Sequence, residues 1–322
     1  EAFGKTYSTQ LKAYLVESNT PLPDSFGCPL GSWNNIDSSG WYVNRDVEPS
    51  NTLFLDSTRD RVWILYSLLD ATQSDFIVEN WIKSTSNLDS CWLSRGNLLH
   101  WENLSGWSRR GMGLRFSDGL SPEESSGNFS LKAWHGANRY VEGLDEILKI
   151  AQDKFAIYSV RFQKKSGGSI SISAEWYSDG KVTINRAEDA DEVLISVAEM
   201  ANRYADSLKE ATNLRNKKIA PFEIDFSKRI EDLDAFSATV TKGQGAMKLW
   251  LAEIEACQDF RRFKGVDLHT WDRILLDVRP DYVYLTVPGK GCVNAAPRLA
   301  VVQGEDNAGR ASIYHDGTEV FA

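Results

Sequence analysis

Alternation of apolar and polar positions dominates this chain. Arg61 to Leu69 is β-branched and aromatic and predicts a strand. Gly111 to Ser117 sets Met112, Leu114 and Phe116 against Gly113 and Arg115, the pattern of a half-buried strand. Asn128 to Trp134, Phe155 to Phe162, Ser169 to Trp176 and Lys181 to Asn185 read the same way, with Tyr177-Ser178-Asp179-Gly180 as a hairpin turn. Further along, strands are expected at Phe222 to Phe226, Tyr282 to Val287, Arg298 to Gln303 and Ala311 to His315. The last of these runs into the turn His315-Asp316-Gly317-Thr318.

Stripes of helical period are fewer. Phe76, Ile77, Trp81 and Ile82 follow a candidate N-cap at Asp75, and Leu88, Trp92 and Leu93 begin a second helix. Val141 to Asp153 and Ile230 to Val240 predict two more. Ala187 to Glu210 has the strongest pattern, acidic at its start with Val193, Val197, Met200, Tyr204 and Leu208 on one face. Asp267 is a candidate cap for a helix carrying Leu268, Trp271, Ile274, Leu275 and Val278.

Placed in order, these elements predict an α+β fold of two modules of mainly antiparallel sheet with packed helices. One apolar strand starts at Val62 and another at Met247. Each is followed by a Trp-bearing helix and a ladder of strands ending in an Asp-Gly turn. The expected division is a loop-rich segment over 1–55, a first module over 56–212, a linker over 213–221 and a second module over 222–322. In arrangement alone, a strand, a helix and several antiparallel strands resemble the saddle-shaped half of TATA-binding-protein-like folds. No residue motif of that family is present, so no function comes with the likeness.

Composition narrows the class. The 322 residues are 42% hydrophobic and include 11 Trp, 11 Tyr and 14 Phe, enough apolar surface for a folded chain of two domains or one large one. The net charge of −9 opposes nucleic-acid binding over the whole surface, while leaving room for a local basic groove. Cys28, Cys91, Cys257 and Cys292 are widely spaced with no CxxC pair, so reduced thiols are expected, with no cysteine-pair zinc site. No run of about 18 apolar residues predicts a membrane span, and the first residues lack the pattern of a signal peptide. A cytoplasmic location without membrane association is the expectation.

Candidate chemistry is thin. None of His100, His135, His269 and His315 pairs with another at metal-ligand spacing, and no phosphate-cradling or dinucleotide-binding glycine motif is present. No catalytic residue, metal ligand or cofactor is assigned. Cys292 with His315 and Asp316, or Cys91 with His100, would supply a cysteine–histidine hydrolase if the strands brought them together. The segment from Trp92 to Phe116 combines arginine and tryptophan with few acids, which suits protein interfaces and stacked single-stranded nucleic acid. Arg95, Trp101, Trp107, Arg109, Arg110 and Arg115, with Arg261 and Arg262 further on, are therefore the expected partner-binding residues. The leading functional expectation is a non-catalytic interaction or scaffold subunit of a larger assembly, with a protein partner. Direct binding of single-stranded nucleic acid is the alternative, and the cysteine–histidine hydrolase the third reading.

Overall fold

Strand β1 (Lys12–Ser18) is buried along its whole length. Its side chains alternate between two cores: Ala13 and Leu15 face one, Tyr14 and Val16 the other. Its neighbour β5 (Val62–Ser67) repeats the pattern, with Val62 and Ile64 on the first side and Trp63 and Leu65 on the second. A strand buried on both faces has no polar side, which is why this stretch reads as a continuous apolar run.

The computed structural model describes residues 11–20, 27–36, 38–45, 51–117, 128–134, 146, 150, 155–166, 169–241, 245–306 and 309–322. These form two sheets, with every strand pair antiparallel. The eleven-stranded sheet runs in the order β2 (Ser32–Asn35), β3 (Trp41–Arg45), β4 (Leu53–Asp56), β5, β1, β11 (Lys181–Ala187), β10 (Ser169–Tyr177), β9 (Ala156–Ser166), β7 (Trp107–Ser117), β8 (Asn128–Trp134). Its eleventh strand, β6 (Leu88–Ser90), pairs with β1 off this path. The seven-stranded sheet runs β13 (Leu249–Cys257), β14 (Phe260–Asp267), β15 (Arg273–Val278), β16 (Tyr282–Thr286), β12 (Phe222–Phe226), β17 (Ala311–His315), β18 (Thr318–Val320).

Five α-helices accompany the sheets among the described residues: α1 (Ala71–Ser84), α2 (Arg95–Leu98), α3 (Ala190–Lys217), α4 (Leu233–Thr241) and α5 (Ala295–Asp306). Helix α1 packs Val78, Trp81 and Ile82 into the core on one side of the first sheet. Helix α3 contacts β5 and β11 of the first sheet and β17 and β18 of the second. Helix α5 contacts β7 and β9 of the first sheet and β12 and β17 of the second, and it is buried from Ala295 to Ala300. One hydrophobic core therefore runs from Ala13 and Trp176 in the first sheet, through Tyr204 and Leu299, to Phe222 and Leu285 in the second. The α+β architecture with two sheet modules is as the sequence predicts.

Several elements differ from the sequence reading. The loop-rich segment over 1–55 contributes β1 to β3 and most of β4 among its described residues. Helix α1 is capped by Asp70, whose carboxylate accepts from the Gln73 amide at 3.0 Å; Asp75 instead accepts from the Tyr14 hydroxyl and Lys181, both at 2.6 Å. The helix expected from Leu88 is β6 followed by the short α2, because β1 offers Leu88, Asp89 and Ser90 a strand partner. Helix α3 continues through Lys217, leaving only a few residues of the expected 213–221 linker before β12.

The helix expected behind Asp267 is a turn and strand β15: Ile274, Leu276 and Val278 are buried between exposed or half-buried neighbours, a period of two. No helix separates β13 from β15, so the two modules do not share one plan. Arg298 to Gln303 is helical, not a strand, because α5 is enclosed by both sheets and a short apolar run without polar alternation fits either element. The helix over Val141–Asp153 lies outside the described residues apart from Glu146 and Ile150, both helical, and His135 and the Ser117-Asp118-Gly119 turn also fall on residues not described in full. Among the described residues no helix is long and apolar enough to cross a membrane.

Gly180 closes the β10–β11 hairpin at φ +83°, and its amide carbonyl accepts from Leu15 of β1. A Cβ there would stand 2.7 Å from the Cys91 carbonyl oxygen and 3.0 Å from that of Leu15. Gly180→Ala is expected to cost about 1–3 kcal/mol through the left-handed backbone, with the clash adding to it. A urea midpoint equal to wild type would contradict this reading.

Candidate functional site

Charged residues inside otherwise apolar elements converge where the two sheets meet. Arg298, on the enclosed helix α5, has no exposed surface. Its guanidinium donates to Asp89 of β6 at 2.5 Å and to Asp267 at the end of β14 at 2.6 Å, so one buried cation spans both sheets. Asn294, just before α5, donates to Asp89 at 2.9 Å and accepts from the Tyr204 hydroxyl of α3 at 2.5 Å. The Tyr204 oxygen in turn accepts from the Trp92 amide at 3.0 Å. Lys248, with φ +49°, donates to the carbonyls of Ile82 and Leu88 at 2.8 and 2.7 Å. Burial pushes the Asp89 carboxyl upward, but Arg298, with His269 and Lys248, outweighs it and holds Asp89 below its usual range. Burial lowers Lys248, with Asp89 opposing the shift.

A second cluster adjoins it. Glu17 at the end of β1, His269 in the β14–β15 turn and Cys292 before α5 are all buried, and their ligand atoms lie within 4.8 Å of one another. Glu17 Oε2 is 3.0 Å from His269 Nε2, and Cys292 Sγ is 3.6 Å from Glu17 Oε1. Arg61 donates to Glu17 Oε1 through Nε and Nη2, and its Nη2 is 3.3 Å from Cys292 Sγ. Burial first, and Glu17 second, push the Cys292 thiol well above its usual range. The thiol is therefore protonated near neutral pH and is a poor nucleophile.

The hydrolase sets named from sequence are placed differently. His315 packs on Phe222 with ring centroids 5.0 Å apart, and Asp316 pairs with Lys218, while Cys292 lies against Glu17 and Arg61. Cys91 is fully buried, with its thiol pushed up by burial, and His100 lies 3.3 Å from Glu199.

Of the expected partner-binding residues, Trp107, Arg109, Arg110 and Arg115 share β7, and the others lie on separate elements. Trp101 is a core residue whose ring packs at a tilt against Trp107 at 4.5 Å and Trp176 at 5.5 Å. Arg109 is 3.3 Å from Glu102, and Arg110 donates to Gln163 at 2.9 Å. Arg95 lies in α2, and its neighbour Gly96 sits against Ala322. Arg115 reaches Glu305 of α5 at 2.9 Å. Arg261 and Arg262 stand on the other sheet, paired with Asp234 and Asp277, both at 2.7 Å.

Arg115 and Glu305 also line a cavity of about 330 Å³ at the junction of the sheets, beside Asp89, Trp92, Tyr177 and Lys248. Burial pushes the Glu305 carboxyl up to about 7, against the pull of Arg115 and the Ser178 hydroxyl that donates to it.

Glu17, Asp89, His269 and Arg298 escape the periodicity argument. The signal that exposes them is a charge inside an apolar run, as in Leu15-Val16-Glu17 and Pro297-Arg298-Leu299. Such a charge is tolerated in a core only when paired.

Two outcomes follow from these geometries. Arg298→Ala leaves Asp89 and Asp267 buried without their shared cation and is expected to cost about 3–5 kcal/mol of unfolding free energy; a loss under 1 kcal/mol by urea denaturation would contradict it. Glu305 has a folded-state value above its unfolded one, so its protonated form stabilises the fold at low pH, and that contribution is lost as pH rises toward 7. The melting temperature of Glu305→Gln relative to wild type should therefore climb between pH 5 and pH 8. A flat difference would show that Glu305 titrates normally.

The chain is 24% identical over 340 residues to the uncharacterized protein MJECL33 of Methanocaldococcus jannaschii, an alignment covering 90% of this chain and 82% of that protein. No solved structure matches the chain significantly. The MJECL33-like protein family matches residues 4–303, nearly the whole length, and the chain belongs to that family.

Proposed function

We propose that this protein is a non-catalytic interaction subunit that docks a protein partner on the uncovered face of its seven-stranded sheet. The observation that carries the reading is the exposure of Trp250, 61% accessible on β13, at the sheet's edge. Across the ladder Trp250 pairs with Val266 of β14, and Val266 pairs with Arg273 of β15. The next row sets Ala252, Lys264 and Leu275 side by side. Trp271, 62% accessible, lies two residues before Arg273. The opposite side chains of the same strands, Leu249, Leu251, Phe263, Ile274 and Leu276, are buried. One face of these strands thus serves the core, and the other presents tryptophan, leucine and arginine to solvent. Clustered Trp and Arg in an exposed apolar patch is the composition of binding hot spots.

Electrostatics supports a protein partner over nucleic acid. Arg109, Arg115, Arg261 and Arg262 each stand beside a carboxylate that offsets the charge a phosphate would need. The enclosure of Cys292 supports a non-catalytic role for its sulfur.

The test is affinity capture from the source cells with wild type and a Trp250→Glu/Leu275→Lys double variant of unchanged circular dichroism. The expected outcome is a partner retained at near-equal stoichiometry by wild type and reduced at least tenfold by the variant. Equal recovery by both would remove this face from the account, and no retained partner would contradict the interaction reading.

A further inference from the structure

We propose that Glu17, His269 and Cys292 form a buried site for a zinc-class divalent ion that joins the two sheets. The three side chains come from the end of β1, the β14–β15 turn and the segment before α5, and converge only in the folded chain. A carboxylate, an imidazole and a thiol together are the donor set of a zinc-type site.

The donors are close enough to share one ion after small movements. A tetrahedral ion with bonds of about 2.0–2.3 Å separates its ligand atoms by about 3.3–3.7 Å. Glu17 Oε2 and His269 Nε2 stand at 3.0 Å, slightly inside that range, and Cys292 Sγ lies within 4.8 Å of the other two donor atoms.

Hydrogen bonding inside the cluster points the same way. The Asn19 amide nitrogen is 3.2 Å from His269 Nε2 and 3.2 and 3.3 Å from the two Glu17 oxygens. His269 Nδ1, on a ring with no exposed surface, has no hydrogen-bond partner. With the ring proton on Nε2, that N–H faces the Asn19 NH2 as well as Glu17, and Nδ1 is a bare buried acceptor. With the proton on Nδ1, that buried donor is unmet, and the Nε2 lone pair accepts from the Asn19 NH2 while also facing a carboxylate. Neither neutral tautomer satisfies the whole ring. A cation accepting the Nε2 lone pair removes its repulsion with Glu17 and leaves the ring proton on Nδ1.

The surroundings suit a metal thiolate. Arg61 occupies Glu17 Oε1 and leaves Oε2 on the His269 side. The Asn294 amide donates to Cys292 Sγ at 3.4 Å, and Arg61 Nη2 approaches the same sulfur at 3.3 Å. Donors around sulfur stabilise the thiolate a metal requires. Binding would release the Cys292 proton to solvent and leave a metal–sulfur bond, with no change of oxidation state.

The experiment uses the full chain. Metal content is measured after purification without chelator, and cobalt(II) is titrated into chelator-treated protein while thiolate-to-cobalt charge-transfer absorption is recorded. About one equivalent of metal per chain and a charge-transfer band saturating at one equivalent are expected. A triple variant, Cys28→Ser/Cys91→Ala/Cys257→Ser, keeps Cys292 as the sole thiol and should retain the band, whereas Cys292→Ala should lose it. Wild type with under a tenth of an equivalent and no cobalt band would overturn the proposal. So would loss of the band in the folded triple variant, or its retention in Cys292→Ala. If Cys292→Ala does not fold, the wild-type and triple-variant spectra decide alone.

Discussion

The structure turns on a buried guanidinium held between two carboxylates. Arg298 has no contact with water, and its partners Asp89 and Asp267 belong to different sheets. Taking three charges out of water is costly, so this arrangement contributes little to net stability compared with an apolar filling. Its effect is on specificity. Any sliding of one sheet against the other would strand a charge in the core, which makes one docking geometry far better than its neighbours. Asn294, Tyr204 and Lys248 extend the constraint to α3 and to the carbonyls of Ile82 and Leu88.

This constraint explains the division of labour across the molecule. Helix α5 carries Arg298 and is covered on both sides, so its apolar residues serve two sheets at once. Glu17, His269 and Cys292 are enclosed in the same seam, away from solvent. On or beside the seven-stranded sheet, Trp250, Trp271 and Leu275 remain exposed, and the partner-binding role proposed for that face would leave the buried seam undisturbed.

The local pattern of the sequence carries much of the fold. Strands such as Phe222–Phe226 and Ala311–His315 have one core side and one outer side, so period-two alternation finds them. Helix α3 is legible for the same reason at helical period, from Val193 to Leu208. Legibility fails where both sides of an element are buried. Pro297 to Ala300 lies between two sheets, and with even Arg298 buried the run has no polar face to set its period and distinguish helix from strand. Leu268 to Val278 fits either period over its short length; the left-handed Trp271 and pairing with β14 decide for the strand. The site residues are non-local: Glu17 and Cys292 are 275 positions apart and meet only through tertiary structure. Trp101 shows the converse, since a tryptophan in an arginine-rich stretch is buried against Trp107 once the strand and the preceding turn are formed.

If the ionic seam makes the two sheets one cooperative body, their backbones must open together. Native-state hydrogen exchange under increasing denaturant reads this directly. The account predicts that amides of β1 and β5 in the first sheet and of β12 and β16 in the second converge on one opening free energy. Exchange of the second sheet through a separate, lower-energy opening, with the first sheet still protected, would contradict it.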